Sequence, residues 1–420
     1  MMRITIFGAG SQGDIQPCLR LGKGLQDAGF QILLAAPQNF AGLIGEQGVP
    51  FYSLRGDVQK IMSGETGQTF MENGNANLFQ SIRAMQKMVG QVAIQMAEDV
   101  LEACRDADAL ITLAVFAPFG KTIADICGIP LILVEPTPVL PTRDFPAPGW
   151  LVQKNLGGIH NRLSGFVMLN VIWQWYRPFV NEFRERFGLR RMNASDFHHI
   201  LTSTILLSAY SPNVIPRPRD WSDTVHITGY WFQDSPSAWQ PSVELENFLT
   251  QGEPPVYVGF GSMAGRAPER LTAMVLEALS KSGQRGVLAT GWGGLNATNA
   301  PKHVFVLDSA PHGWLFPRVS AVVHHGGAGT TAEGLRAGKP SVIVPFIVDQ
   351  RFWGERVYEL GIAMKPIPAK GLTADKLAES IHRAAGEAQI RQRAESLGRL
   401  IRSEDGIGNA VRIVRQYLGA

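Results

Sequence analysis

Short apolar runs alternate with longer stretches of helical spacing along the whole chain. In the first half these runs cover residues 4–7, 31–36, 109–113 and 131–134, and in the second half residues 256–260, 286–289, 304–307, 321–324 and 341–344. The alternation is typical of parallel sheets whose strands are joined by crossover helices. We therefore expect an α/β protein built from doubly wound, Rossmann-like parallel sheets.

The length of 420 residues predicts two domains, and 45% hydrophobic with 18% charged residues is ordinary for a globular protein. The best linker is the segment 234–255, which is rich in Pro and Ser. We predict an N-terminal domain over residues 1–233, a C-terminal domain over residues 256–402, and a last helical segment over residues 403–420.

Three cysteines, Cys18, Cys104 and Cys127, form an odd and sparse set without metal-ligand spacing. Neither a disulfide framework nor a zinc site is expected, and this usage fits the reducing cytoplasm. The apolar run at the N-terminus is too short for a signal peptide, and no segment reaches the roughly 18 apolar residues of a membrane span. We expect a cytoplasmic protein.

A glycine-rich turn late in the chain predicts a phosphate site. The block His324-His325-Gly326-Gly327-Ala328-Gly329-Thr330-Thr331-Ala332-Glu333 leads from an apolar strand into a helix. Glycines let the backbone approach a ligand closely, and the N–H groups and dipole of a helix N-terminus favour an anion. Asp349 and Gln350 follow the next strand, so they are predicted at the same sheet edge, where open α/β sheets bind ligands.

An earlier turn, Gly8-Ala9-Gly10-Ser11-Gln12-Gly13, satisfies the dinucleotide fingerprint G-x-G-x-x-G. A dehydrogenase also needs an acidic residue about 20 positions on, at the end of the second strand. Here that strand runs out as Pro37-Gln38-Asn39, without a carboxylate. Asp14 follows the third glycine directly, and its charge would repel a bound pyrophosphate. An NAD-dependent oxidoreductase is therefore only an alternative interpretation.

Residues 151–191 are both basic and aromatic. They hold seven Arg and Lys against two Glu. Their aromatic side chains are Phe166, Trp173, Trp175, Tyr176, Phe179, Phe183 and Phe187. This composition is compatible with peripheral contact to anionic lipid headgroups, and equally with helices that cover an acceptor cleft and keep their arginines in solvent. The net charge of +3, without a recognition motif, argues against nucleic-acid binding.

Three segments together resemble the GT-B glycosyltransferases, and most closely their sterol and lipid-aglycone glucosyltransferase branch. Gly10-Ser11-Gln12-Gly13-Asp14-Ile15-Gln16-Pro17 is similar to the family's N-terminal Gly-Thr-Arg-Gly-Asp-Val-Gln-Pro, with Gln12 where arginine is usual. The other two segments are residues 310–318, which begin Ala310-Pro311-His312, and residues 324–357. The resemblance implies two Rossmann-like domains that face an interdomain cleft, with the last helix returning to the N-terminal domain.

For the donor, the resemblance implies a nucleotide diphosphate sugar. The diphosphate would be bound by His325 and by the turn that carries Gly327, Gly329 and Thr330. Glu333 would accept hydrogen bonds from the ribose hydroxyls, although a helix-start carboxylate explains it almost equally well.

Four further residues complete the donor site that the resemblance implies. Asp349 and Gln350 would hold the hydroxyls of the sugar, and the backbone at Ala310 would hold the nucleotide base. Ser262 would add a hydroxyl near the diphosphate, with an ordinary turn serine as the alternative.

For the chemistry, the resemblance makes Asp14 the base that removes the proton of the acceptor hydroxyl. The alternative is that Asp14 caps a helix beginning near Ile15 and Pro17. No metal is expected, because a helix N-terminus and hydrogen bonds would neutralise the leaving diphosphate. Asp106-Ala107-Asp108 looks like the metal-holding Asp-x-Asp of another glycosyltransferase class, but a turn or a helix cap explains it better.

The function that the resemblance implies is therefore inverting, metal-independent transfer of a sugar, glucose in this branch, from a UDP-sugar to a hydrophobic alcohol such as a sterol, triterpenoid or polyketide. Methionines between Met62 and Met96 suggest an adaptable apolar acceptor pocket or, equally, a helical core. A dTDP-sugar transferase of the antibiotic type is the alternative within the fold. A non-catalytic binding protein for lipid or nucleotide sugar is the alternative outside it.

Overall fold

The computed structural model describes residues 1–56, 78–90, 92–232, 239–261, 268–291, 300–347 and 349–420. The chain divides into two compact units. Unit 1 comprises Met1–Phe232 and Asp405–Ala420, and unit 2 comprises Gln233–Glu404. Each unit contains a parallel sheet with crossover helices, as the alternation of apolar runs predicts.

Unit 1 is built on a parallel sheet of seven strands within its described residues, in the order β3-β2-β1-β4-β5-β6-β7. The strands are β1 (Arg3–Phe7), β2 (Gln31–Pro37), β3 (Phe51–Leu54), β4 (Ala109–Leu113), β5 (Leu131–Glu135), β6 (Ile205–Ser208) and β7 (Val225–Ile227). The central strands β4 and β5 are buried along their full length, which is why they appear in the sequence as continuous apolar runs. The apolar pattern alone does not identify the short strands β3, β6 and β7.

Helices of unit 1 surround this sheet. They are α1 (Gln12–Asp27), α2 (Ala41–Gly45), α3 (Leu78–Val89), α4 (Ala93–Ala103), α5 (Ala117–Cys127), α6 (Gly158–Arg186) and α7 (Ala194–Ser203). A last helix of the chain, here α15 (Gly406–Leu418), belongs to the same unit. Its Asn409 side chain donates to the carbonyl oxygen of Thr228 at 3.0 Å, and Arg415 donates to that of Ala28 at 2.6 Å.

Unit 2 has a five-stranded parallel sheet in its described residues, in the order β10-β9-β8-β11-β12. Its strands are β8 (Val256–Gly259), β9 (Gly286–Ala289), β10 (Val304–Leu307), β11 (Ala321–His324) and β12 (Ser341–Ile343). Its helices are α8 (Val243–Thr250), α9 (Pro268–Ser282), α10 (His312–Leu315), α11 (Ala328–Arg336), α12 (Gln350–Glu359), α13 (Ala374–Gly386) and α14 (Ala388–Arg402).

The aromatic residues between 151 and 191 lie mainly inside unit 1. Trp173, Tyr176 and Phe183 are buried on α6, whereas Phe187 is exposed. Their burial fits helices that cover the sheet rather than an aromatic membrane belt. In the ranges that the structure describes, no helix is long and apolar enough to span a bilayer.

Of the methionines expected near an acceptor pocket, Met62 and Met71 lie outside the described residues. Met88 and Met96 are buried on α3 and α4, as in an ordinary helical core.

Candidate functional site

Both sheets bring a glycine-containing turn to the point where the strand order reverses. In unit 2 the chain runs outward from β8 to β9 and β10, then crosses to β11 on the other side of β8. Ligands of open α/β sheets bind at such a switch point, beyond the carboxyl ends of the strands. The residues that meet there are Gly261, after β8, and His325, after β11. A Cβ atom added to Gly261 would lie 3.7 Å from Cε1 of His325.

His324 and His325 have different environments although they are adjacent in the chain. His324 is the last residue of β11 and is fully buried, and its Nδ1 accepts a hydrogen bond from the N–H of Gly326 at 3.1 Å. His325 is half-buried beside the start of α11. Burial lowers the pKa of His325 to about 4, so its imidazole is neutral at pH 7. His324 therefore holds the turn in place, while His325 presents a ring to its surface.

The turn after His325 brings the backbone close to two neighbours. Gly326 has φ +92°, and a Cβ atom there would lie 2.8 Å from the carbonyl oxygen of Gln350. Gly327 is the N-cap residue of α11, and a Cβ atom there would lie 2.5 Å from Nε2 of His325. Gly326 therefore needs to be glycine, whereas at Gly327 the missing side chain leaves room for the His325 ring beside the helix N-terminus.

The first turn of α11 consists of Ala328, Gly329 and Thr330 and contains no acidic residue. The first N–H groups of a helix have no acceptor within the helix. Gly329 is exposed and Thr330 is half-buried. With the neutral His325 ring beside them, these groups can surround an anion such as a diphosphate.

Glu333 lies further along α11 and is buried, with 7% of its surface exposed. One of its carboxylate oxygens is 3.9 Å from a guanidinium nitrogen of Arg336, in the last turn of the helix. In this structure the carboxylate is thus turned toward Arg336.

Asp349 and Gln350 lie at the start of α12. Asp349 is its N-cap residue and is half-buried. Gln350 is buried, and its side-chain carbonyl accepts hydrogen bonds from the N–H groups of Phe346 and Ile347 at 2.8 and 3.1 Å. Gln350 therefore shapes the loop after β12, and its amide N–H groups are the atoms that could reach a sugar.

Of the two remaining donor residues, Ser262 lies outside the described residues. Ala310 follows β10 and is half-buried against a hydrophobic cluster, on which Trp314 also packs. The structure thus brings His325, Gly327, Gly329, Thr330 and Gln350 to one end of the unit 2 sheet.

In unit 1 the sheet order reverses between β1 and β4, and the turn 8–11 follows β1. Helix α1 begins at Gln12, earlier than the start near Ile15 and Pro17 that the sequence suggests, so Asp14 lies inside its first turn. Its carboxylate accepts hydrogen bonds from the N–H of Ser11 at 2.7 Å and from the Ser11 hydroxyl at 2.8 Å. Asp14 therefore completes a capping box.

The surroundings of the half-buried Asp14 also shift the pKa of its carboxylate. Burial raises its pKa, although the hydrogen bonds from Ser11 oppose that effect. The negative charge of Asp14 also affects two neighbouring side chains. Burial, and to a smaller extent the charge of Asp14, raise the pKa of Cys18 to about 12, and the same two causes raise the pKa of Tyr176. A carboxylate with a raised pKa at a switch point is a good candidate for a general base.

Of two residues close to Asp14, the sequence indicates Gly10 but not Tyr176. Gly10 has φ +120°, and a Cβ atom there would lie 2.5 Å from Oδ2 of Asp14. Tyr176 comes close to Asp14 from α6, which is distant in sequence. Nothing in the chain around Tyr176 predicts this proximity, whereas the second glycine of the fingerprint points to Gly10.

The Asp106-Ala107-Asp108 segment has a structural role. The carboxylate of Asp108 accepts the N–H of Arg3 at 2.7 Å, and a carboxylate oxygen of Asp106 lies 3.5 Å from the Arg3 guanidinium. These contacts anchor the start of β1. Among the residues described, no group of three or more His, Cys, Asp or Glu is arranged to hold a metal ion.

Two family models match the chain. Residues 4–123 match the glycosyltransferase family 28 N-terminal domain, and residues 288–405 match the C-terminal domain of the erythromycin biosynthesis protein CIII-like family. The first match includes the Asp14 turn, and the second includes the His325 turn.

Characterised relatives match almost the entire chain. It is 34% identical over 429 residues to the sterol 3-beta-glucosyltransferase UGT80B1 of Arabidopsis thaliana, covering 99% of this chain and 68% of that protein. It is also 34% identical over 421 residues to the O-mycaminosyltylonolide 6-deoxyallosyltransferase of Streptomyces fradiae, covering 99% of this chain and 97% of that protein. Among solved structures, the glycosyltransferase of kitacinnamycin matches with a TM-score of 0.75 at 20% identity, covering 99% of each chain.

Fold and matches together define the class: a GT-B glycosyltransferase with two Rossmann-like domains, as the sequence motifs predict. The chain belongs to the glycosyltransferase family that contains the Arabidopsis sterol glucosyltransferase and the Streptomyces deoxyallosyltransferase. It is an enzyme of sugar transfer.

Proposed function

We propose that this enzyme transfers a sugar, most simply glucose, from a UDP-sugar to the hydroxyl of a hydrophobic acceptor such as a sterol, triterpenoid or polyketide. One contrast carries the proposal: the turn at His325 offers helix N–H groups without a carboxylate, while the turn at Gly10 holds the carboxylate of Asp14. The first suits the nucleotide diphosphate and the second suits the acceptor hydroxyl. The Arabidopsis relative is a sterol glucosyltransferase, which supports this acceptor class.

On the donor side, His325 and the first turn of α11 bind the diphosphate. The neutral imidazole donates one hydrogen bond, and the N–H groups of Gly329 and Thr330 donate others, with the Thr330 hydroxyl. These groups stabilise the charge that develops as the nucleoside diphosphate departs with the electron pair of the glycosidic bond. The backbone at Ala310 holds the base, and Ser262 contributes a hydroxyl near the diphosphate.

The sugar and the ribose are bound by three side chains that follow this turn in the chain, those of Glu333, Asp349 and Gln350. Asp349 and the amide N–H groups of Gln350 bind sugar hydroxyls. Glu333 accepts from the ribose hydroxyls, which requires its carboxylate to turn away from Arg336, its neighbour at 3.9 Å.

On the acceptor side, Asp14 takes the hydroxyl proton while the acceptor oxygen attacks the anomeric carbon. The new bond forms on the face opposite the departing diphosphate, so the configuration inverts. The raised pKa of Asp14 makes it a stronger base than an ordinary aspartate. Gly10 leaves the space that its carboxylate occupies.

Metal independence is part of the proposal. The helix dipole and hydrogen bonds at α11 supply positive potential where other transferases use a divalent ion. Transfer rates unchanged by EDTA would support it, and recovery of a lost rate by added Mg²⁺ or Mn²⁺ would contradict it.

A second donor class has its own support. The Streptomyces relative is a 6-deoxyallosyltransferase, which favours a dTDP-linked deoxysugar as the alternative to UDP-glucose.

We also propose a cytoplasmic location, because all three cysteines carry free thiols.

The decisive experiment is a panel of nucleotide sugars against sterols, triterpenoids and polyketides, with products detected by mass. We expect turnover with UDP-glucose and a sterol-like acceptor, and turnover only with dTDP-sugars would favour the alternative. Absence of transfer with every donor would indicate a non-catalytic binding protein. Titration with NADH tests the oxidoreductase interpretation, because a glycosyltransferase would show no saturable binding of NADH.

A further inference from the structure

Exposed apolar side chains are concentrated on one short segment of unit 1. Among the described residues, twelve large apolar side chains are exposed, and six of them lie between Leu151 and Val167. These six are Leu151, Val152, Leu156, Ile159, Leu163 and Val167, with exposed fractions of 60%, 44%, 56%, 81%, 58% and 38%. We call them the 151–167 surface. Contiguous exposed apolar residues mark interaction sites.

Helix geometry makes half of this surface one continuous stripe. Ile159, Leu163 and Val167 follow each other at four-residue spacing in the first turns of α6, so their side chains lie on one face. The opposite face is closely packed: a Cβ atom on Gly165 would lie 2.6 Å from Cα of Pro141. The helix is thus fixed with its apolar stripe outward.

Two polar side chains of the loop before α6 hydrogen-bond to the protein's own backbone and side chains. Gln153, which is half-buried, donates to the carbonyl oxygens of Ala147 and Trp150 at 3.0 and 2.7 Å. Asn155 donates to the carbonyl oxygen of Asp144 at 3.0 Å and accepts from Asn161 at 2.8 Å.

These hydrogen bonds hold the loop backbone while Leu151, Val152 and Leu156 face outward. Water disfavours that arrangement, since apolar burial drives folding and polar side chains are the usual surface residues. The segment is therefore shaped for an apolar partner.

Charge identifies the kind of partner. Lys154 and Arg162 are exposed among the six apolar residues, and Arg177 is exposed further along α6. No Asp or Glu occurs between Phe145 and Asn181. The exposed residues Arg143 and Asp144 lie beside this segment, because Asn155 bonds to the Asp144 carbonyl, and their charges offset each other. An apolar surface in which Lys154 and Arg162 are interspersed complements an anionic bilayer, where apolar side chains enter the acyl boundary and cations meet headgroup phosphates.

The same helix connects this surface with the Asp14 turn. Tyr176, whose phenol is close enough to feel the charge of Asp14, lies 17 residues after Ile159 on α6. At 1.5 Å per residue the two are about 25 Å apart along the helix axis. A bilayer at the 151–167 surface would meet unit 1 at one end of the helix whose other part borders the candidate base.

We propose that the 151–167 surface docks this enzyme on anionic lipid bilayers. Its apolar side chains insert at the acyl boundary, and Lys154 and Arg162 contact the headgroups. Docking would bring the enzyme to a lipid-dissolved acceptor, and only this consequence rests on the proposed function.

The test is sedimentation of the full chain with vesicles of phosphatidylcholine, alone or mixed with phosphatidylserine. We expect binding to the mixed vesicles that weakens as salt is added. The triple variant Leu156→Glu, Ile159→Glu, Leu163→Glu should weaken that binding at least thirtyfold, by a rough estimate from the apolar area lost. The matched control is Val243→Glu, Leu400→Glu, Tyr417→Glu, which makes the same charge change at exposed apolar residues elsewhere and should bind as the wild type does.

Two further variants and measurements keep the test sharp. Lys154→Gln with Arg162→Gln should remove most of the preference for phosphatidylserine. Thermal unfolding confirms that each variant folds, and transfer to a detergent-solubilised acceptor should be unchanged in the 151–167 triple variant. If no variant transfers sugar but the vesicle results hold, the proposed function fails and the docking surface stands.

Three outcomes overturn the proposal. The first is a wild-type protein that does not bind the mixed vesicles. The second is an equal affinity of the two triple variants for those vesicles. The third is a wild-type dimer that becomes monomeric only in the 151–167 triple variant and binds no vesicles, because a second copy of the chain would then cover the surface.

Discussion

The turns at Gly10 and at His325 have the same architecture and opposite chemistry. Each follows a strand at a switch point and leads into a helix, α1 in unit 1 and α11 in unit 2. The N-cap residue is Ser11 in the first turn and Gly327 in the second. The third helical residue is Asp14 in the first and Thr330 in the second.

The residue at this third position makes the second turn the better candidate for an anion site. Asp14 accepts the N–H of Ser11, so the first helix N-terminus already has a carboxylate of its own. A phosphate there would meet a like charge, whereas at α11 it would meet N–H groups, a hydroxyl and a neutral imidazole. The turn at Gly10, whose sequence matches the dinucleotide fingerprint, is therefore the less suitable of the two for a phosphate.

The largest expected effect is that of Asp14→Asn. Removal of the base should lower kcat by about 10³- to 10⁴-fold, near the upper range for general acid–base catalysis. Donor affinity, measured by calorimetry with UDP, should stay within about threefold, since we propose that the donor binds at the other turn. Asp108→Asn, in the same unit, is the control. An Asp14→Asn enzyme of normal activity would sink the base assignment.

The next effect concerns His325→Ala. Loss of this hydrogen-bond donor should lower kcat/KM by about a hundredfold, as for other groups that stabilise a leaving or developing charge. UDP affinity should fall in parallel. His382→Ala, at an exposed histidine of α13, should change neither quantity. Equal behaviour of the two variants would place the diphosphate elsewhere.

A pair of glycine variants tests the geometry of the second turn. A Cβ atom at Gly327 would come within 2.5 Å of Nε2 of His325 and displace the ring, while one at Gly329 would meet no atom within 4 Å. Gly327→Ala should weaken UDP binding about tenfold, or 1.4 kcal/mol, and Gly329→Ala by much less. Isothermal titration with UDP compares them. A Gly327→Ala variant that binds UDP as tightly as the wild type would show that the His325 ring is not the relevant contact.

The smallest expected effect is an opposite response of the two turns to acid. His325 has a pKa of about 4 in the free protein, and a bound diphosphate raises it. The bound state then holds more protons, so UDP affinity gains from acidification. Asp14 must be ionised to accept a proton, so kcat falls as the pH drops through its raised pKa.

The measurement compares wild type with His325→Gln, which cancels the titration of UDP itself. From about pH 8 to about pH 5, the wild type should gain roughly threefold in UDP affinity relative to the variant. Identical pH profiles would argue against a contact between His325 and the diphosphate.

Sequence reasoning locates the elements of both turns but not their interactions. The apolar runs identify the central strands, because these are buried on both faces, and they miss β3 and β7 at the sheet edge. The bonds from Phe346 and Ile347 to Gln350 depend on how the loop after β12 closes, which no local pattern records. The same holds for Tyr176 beside Asp14.

The segment 151–191 shows a second limit. Its aromatic content is its most visible feature in the sequence, yet Trp173 and Phe183 are buried. Apart from Phe187, the large apolar residues of the segment that are exposed are aliphatic ones such as Ile159 and Leu163. Composition does not say which face of a helix a side chain occupies, and the hydrogen bonds of Asn155 to Asp144 and Asn161 appear only in the folded loop.

The most direct test of the contrast between the turns transfers the carboxylate of the first to the second. Thr330→Asp places a negative charge at the position in α11 that Asp14 occupies in α1, and Thr330→Asn is the neutral control of the same shape. Calorimetry with UDP should show binding by Thr330→Asn within several-fold of wild type and a loss of about a hundredfold or more in Thr330→Asp, because like charges a few ångströms apart repel by several kcal/mol. Equal UDP affinity of the two variants would contradict the assignment of the nucleotide diphosphate to the His325 turn.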